Sequence, residues 1–130
     1  MLVVRQNQKN GIGMKLRTDS IGHFDNPTEK NIRDAVVNSE ENDIVKLMVD
    51  DQHYISIWAG RESIGHILTL KSEAWKLDSI EKLSSEIVVE LMVGYLHNDL
   101  SMLKKIRWTR PIDKIFIDNI MKLKESTTTH

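Results

Sequence analysis

Apolar residues recur along this chain at two spacings, and the points where one gives way to the other mark its elements. In DNPTEKNIRDAVV, Ile32, Ala35 and Val36 fall at i, i+3 and i+4, the stripe of an amphipathic helix. The start of that stretch predicts a cap at Asn26, Pro27 at the first helical position and Glu29 closing a capping box. Beyond SEEND the period drops to two. Val45, Leu47 and Val49 take one face of a strand and Lys46, Met48 and Asp50 the other. After the turn DDQ, His53 to Ala59 alternates between a His53, Ile55, Ile57 face and a Tyr54, Ser56, Trp58 face. Gly60 to Glu62 interrupts the pattern, Ser63 to Leu70 resumes it, and Ala74 to Leu77 adds a short strand in which Trp75 reads as core. The helical period returns after Ser84, a cap, with Ile87, Val88, Leu91, Met92, Tyr95 and Leu96; Asn98 ends the helix in a left-handed conformation.

The two ends carry further signals. Asn10-Gly11 between LVV and GMKLR predicts a hairpin, and Pro111 opens a C-terminal helix with Ile112, Ile115, Phe116, Ile120 and Leu123 apolar. Short connections between consecutive strands favour antiparallel neighbours. The expected fold class is therefore α+β, an antiparallel β-sheet meander packed on one face by helices. It forms a single domain over residues 1–124, followed by a disordered tail at 125–130.

Composition narrows the function. The chain has no cysteine, which removes disulfides, thiol catalysis and thiolate metal sites. The apolar run before Arg5 is too short for the core of a signal peptide, and no stretch approaches a membrane span, so a cytoplasmic protein with no membrane partner is expected. The net charge of −1 hides an uneven distribution. Residues 31–99 hold six Lys/Arg against thirteen Asp/Glu, whereas residues 1–30 hold five against three and residues 100–130 seven against three. An acidic middle repels phosphate and would steer a basic partner into contact.

The densest chemistry lies in DDQHYISIWAGRESIGHILTL, residues 50–70. Asp50 and Asp51 resemble a carboxylate pair, but adjacent strand residues point to opposite faces, and aspartates at a bend favour the bend itself. His53 and His66 on consecutive strands would meet in a suitable register, with His97 a conceivable third metal ligand; HExxH spacing is absent, and ordinary histidines are the simpler reading. No G-x-S-x-G elbow, phosphate loop or deaminase zinc motif is present, and no cofactor is implied. The segment KKIRWTR sets Trp108 among Lys104, Lys105, Arg107 and Arg110, which is the basis of an alternative reading as a small nucleic-acid-binding or regulatory protein. Trp58 reads as an interface anchor.

The order NPTEKNIRDAV, acidic turn, DIVKLMV, HYISIWAG, EIVVELMVGYLHND and a later Trp resembles a family of small bacterial immunity proteins encoded beside polymorphic and contact-dependent toxins, among which deaminase-superfamily toxins are common. The resemblance spans roughly residues 24–108. The chain departs from it at Ala59-Gly60, where Gly-Gly is expected, and at Trp108-Thr109, where Trp-Glu is expected. It implies a non-enzymatic protein that neutralises a cognate toxin domain by tight stoichiometric binding, blocking its active site or substrate access. The acidic centre suits a toxin whose cleft is basic because it handles nucleic acid. The expected toxin-binding residues are Glu40, Glu41, Asp43, Asp50, Asp51, Trp58 and Glu62.

Overall fold

A computed structural model describes residues 13–61, 63–73 and 75–109. Within them run β1 (Lys15–Thr18), β2 (His23–Asp25), α1 (Glu29–Val37), β3 (Ile44–Asp50), β4 (His53–Trp58), β5 (Ile67–Ser72), β6 (Trp75–Asp78), α2 (Ser85–Leu96) and a 3-10 turn at Ser101–Lys105. The hairpin at Asn10-Gly11, the helix after Pro111 and the tail at 125–130 lie outside the described residues.

The six strands form one antiparallel sheet in the order β2-β1-β3-β4-β5-β6, so the fold is α+β. From β3 to β6 it is a meander of sequential neighbours. Before that, TDSIG folds β2 back along the outer side of β1, with Gly22 at φ 94°, and α1 then carries the chain over to β3. The register aligns Leu16, Leu47, Ile55, Leu70 and Leu77 in one row across five strands, and none of the five exposes any surface. That row packs with Ile32 and Val36 of α1 and Val88, Leu91, Met92 and Tyr95 of α2 in a single core. Truncating one of these leucines to alanine typically costs about 2–5 kcal/mol, because the cavity left behind does not fully close.

Local chemistry decides where several elements begin. The N-cap of α1 is Thr28, not Asn26: its hydroxyl accepts from the Asn31 N–H at 3.2 Å, and Asn31 Oδ1 accepts from the Thr28 N–H at 2.9 Å. Asn31 closes this box in place of Glu29, whose carboxylate instead meets His97 Nε2 at 2.7 Å. Asn26 is left-handed, with φ 51°, and its side chain accepts from the Gly13 N–H at 3.0 Å. Ser84 caps α2 and Asn98 is left-handed, both as the sequence predicts. The buried stripe of α2 is rotated slightly from expectation, with Val89 covered and Ile87 38% exposed in the first turn. Ser63 to Gly65 form a turn rather than strand, so β5 starts at Ile67.

A β-bulge between Met48 and Asp50 resets the alternation of β3. Asp50 pairs with His53, on the face of Ile55 and Ile57, and so lies on the helix side of the sheet rather than beside Lys46 and Met48. Its charge is felt by the Tyr95 phenol of α2, whose pKa is raised, chiefly by burial and secondarily by that carboxylate.

Candidate functional site

The acidic loop between α1 and β3 is fastened to the sheet by its own backbone. Asn42, left-handed at φ 75°, donates to the Ala59 carbonyl at 2.7 Å, and the Ala59 N–H donates to the Asp43 carbonyl at 2.8 Å, extending the β3–β4 pairing. The Asp43 carboxylate accepts from the Ser20 hydroxyl and from the Glu40 N–H; these bonds, Ser20 first, hold its pKa below the usual carboxylate range. Asp43 thus closes the loop, while Glu40 and Glu41 project from it, Glu41 accepting from the Arg61 guanidinium at 3.3 Å.

Beside this loop the end of the sheet exposes apolar side chains. Trp58 is 54% exposed, its register partner Ile44 is 40% exposed, and Ile67 stands opposite Trp58 on the next strand. All three lie on the face that no described helix covers. An exposed indole next to an exposed isoleucine, with carboxylates at the margin, is the composition of an interface anchor and its polar rim.

Asp50 and Asp51 are elsewhere. They sit at the opposite end of the β3–β4 hairpin, and a strand of seven residues at roughly 3.3 Å each puts them about 20 Å from Trp58. Burial pushes the Asp50 pKa up, but hydrogen bonds from the His53 ring and the Gln52 N–H outweigh it and leave the value low. Asp50 therefore serves the turn. The seven expected residues do not form one patch: Glu40, Glu41, Asp43 and Trp58 gather at one end, Asp50 and Asp51 at the other, and Glu62 lies outside the described residues.

The three histidines do not converge. His53 faces Ser72 in the register, not His66, and takes Asp50 Oδ1 at 2.7 Å. His66 is 3% exposed and forms an isolated bridge with Leu83. Its Nδ1 accepts from the Gly60 N–H at 3.1 Å and its Nε2 meets Ser85 Oγ at 2.8 Å, so the ring ties the 60–65 loop to the start of α2. Burial lowers its pKa. Among the described residues no group of three His, Cys, Asp or Glu side chains is placed to hold a metal ion.

Of the other two tryptophans, Trp108 takes the core position that its sequence context left open beside base stacking, and Trp75 departs from its expected one. Trp108 is buried, and its indole N–H donates to the Leu103 carbonyl at 2.8 Å, so its ring does not stand among the cations of KKIRWTR. Trp75, expected in the core, is 43% exposed on the edge strand. Arg110 lies outside the described residues.

What sequence reasoning missed is the charge of the sheet face that no described helix covers. Extending each strand's alternation across the register brings Lys15, Arg17, Lys46, Lys71 and Lys76 to that face against only Asp25 and Asp78. The signal was present in KLR and in the WKLD alternation, but it becomes a surface only when the strand order is known. A shallow groove between α1 and α2 is lined by Arg33, Val37, Glu86 and Glu90 and gathers no convergent polar chemistry. Comparison of the chain with known protein families, characterised proteins and solved structures finds no match.

Proposed function

We propose that this α+β domain is a binding protein, and specifically a cytoplasmic immunity protein that occupies a cognate toxin domain one-to-one and denies it substrate. The observation that carries the proposal is Trp58, more than half exposed on the sheet face that no described helix covers, beside the exposed Ile44 and the rim of Glu40 and Glu41. A rigid indole loses little conformational entropy when it enters a partner's pocket, and such anchors dominate binding energy. The resemblance of NPTEKNIRDAV and the elements after it to toxin-neutralising proteins points the same way. So does the rim's negative charge, which suits a basic, nucleic-acid-handling cleft. Because Asp43 and Asp50 are engaged in their own turns, the working contacts reduce to Trp58, Ile44, Glu40 and Glu41. The described helices include none long and apolar enough to cross a membrane.

Isothermal titration against a catalytically disabled toxin domain encoded beside this chain tests the proposal. One-to-one nanomolar binding is expected, and Trp58→Ala should weaken it about 30-fold or more while the circular dichroism spectrum stays unchanged. Binding that ignores Trp58→Ala and Glu40→Lys/Glu41→Lys would reject this end of the sheet. No binding to a folded toxin domain would reject the immunity reading.

A further inference from the structure

The sheet face that no described helix covers is nevertheless closed at its centre. Met48 is 4% exposed there and Ser56 7%. Their register neighbours Tyr54, Lys46 and Thr69 are half-buried, as is Lys71. Toward the margins of the same face Lys15, Arg17, Lys76 and Trp58 are exposed. Side chains stand roughly perpendicular to their sheet, so the unbranched thioether of Met48 on an open face would carry its end into water. Burial that peaks at Met48 and Ser56 and fades toward both edges is the footprint of something laid across the middle strands. The described helices do not supply it, because α1 and α2 both pack on the opposite face.

We propose that residues 111–124 of the same chain lie across this face as an amphipathic helix, over β5, β4 and β3. The last described residue stands at the border of the face. The Thr109 N–H donates to the Asp78 carbonyl at 3.0 Å and its hydroxyl accepts from the Asp78 N–H at 3.2 Å, while the Asp78 carboxylate, on the face itself, accepts from the Thr69 hydroxyl at 2.6 Å. A helix over 111–124 rises about 21 Å, and the three strand spacings from β6 to β3 add up to about 14 Å, so the segment reaches. Its apolar stripe, Ile112, Ile115, Phe116, Ile120 and Leu123, needs a floor. Met48, Tyr54 and the alkyl stems of Lys46 and Lys71 provide one, the ammonium groups reaching outward past the helix. Residues 1–12 offer only the short run Leu2, Val3 and Val4 before the polar RQNQKN, too little to cover three strands. Since Trp58 and Ile44 stay exposed, the covering leaves their end of the sheet open, and the inference stands whether or not that end receives a toxin.

The test is a nuclear Overhauser spectrum of the full chain with isotope-labelled methionine methyl groups. Contacts from the Met48 methyl to isoleucine, phenylalanine or leucine side chains of 112–123 are expected. Contacts confined to neighbouring strands or to residues 1–12 would overturn the proposal, and so would contacts seen only between differently labelled copies, which would make the cover a second molecule. Thiol labelling gives an independent reading, because the chain has no cysteine and single ones report each face separately. Ser56→Cys and the α2 variant Val88→Cys should both react with an aromatic disulfide on the order of 100-fold more slowly than Asp51→Cys on the exposed turn. Adding Ile115→Asp/Phe116→Asp should bring Ser56→Cys to within about 10-fold of that exposed thiol and leave Val88→Cys slow. Ser56→Cys that stays slow, or that is exposed instead by Val3→Asp/Val4→Asp, would reject the segment as the cover. Should the two aspartates unfold the chain, Val88→Cys becomes fast as well, and the Overhauser contacts of the unaltered segment decide.

Discussion

His66 shows how one side chain can look catalytic in sequence and be structural in the fold. Its Nδ1 receives a backbone N–H from Gly60 and its Nε2 lies against Ser85 Oγ, so the neutral ring already has a partner at each nitrogen. Protonation would set an N–H against an N–H. Burial keeps its pKa below the ordinary histidine value of 6.5, and between the two values the unfolded chain binds a proton that the folded chain refuses. The stability contributed by neutral His66 is therefore complete above about pH 6.5 and declines as pH falls through the native value. Urea denaturation at about pH 7.5 and about pH 5.5 should show the wild type losing stability on acidification and His66→Gln losing less. Equal losses would assign the pH dependence to other groups. Side-chain identity could not separate His66 from His53, because the difference lies in backbone donors brought from Gly60 and from the start of α2. Thr28 and Asn26 teach a similar lesson: both are capping residues, and Asn31, three residues beyond Thr28, decides between them.

At the scale of elements, the segment 107–109 closes the outer edge of the sheet. Trp108 bridges Ser79, the Thr109 N–H donates to the Asp78 carbonyl at 3.0 Å, and the Ile80 N–H donates to the Arg107 carbonyl at 2.8 Å. The C-terminal end of the β6 edge is thus occupied by backbone rather than left open to another chain. Trp108→Ala should cost about 3–5 kcal/mol in urea denaturation, by removing a buried aromatic that joins this edge to the 3-10 turn. A cost under about 1 kcal/mol would place Trp108 at the surface instead. Helix and strand identities were legible for α1, α2 and the strands β3 to β6, since periods of 3.6 and 2 are written directly in the residues, but β2, only three residues long, is too short to show a period and went unread. The Met48–Asp50 bulge was not, and it is what moved Asp50 to the other side of the sheet. The loop 60–65 was legible only as an interruption at Gly60 to Glu62, Ser63 to Gly65 reading as strand; its tightness comes from Gly60, where an added Cβ would lie 2.1 Å from the Gly65 carbonyl oxygen.

Among the described residues charges separate although the sum over the sequence is close to zero. Carboxylates gather on the α1–β3 loop and on α2, at Glu86 and Glu90, while Lys15, Arg17, Lys46, Lys71 and Lys76 share the sheet face that no described helix covers. Counting charges along the sequence placed the acidic stretch correctly and concealed the basic face, whose members are drawn from β1, β3, β5 and β6. The topology bears on how the chain assembles. From β3 to β6 every strand pairs with its neighbour in sequence, but Leu16 must find Leu47 across the whole of α1. Closing a loop of that length costs about 2 kcal/mol more than closing a short turn, and the cost falls entirely on the β1–β2 ribbon. That ribbon should dock last and open first. Native-state hydrogen exchange should find the amides of β1 releasing by a sub-global opening while those of β4 exchange only on complete unfolding; identical free energies for the two would make the sheet a single cooperative unit.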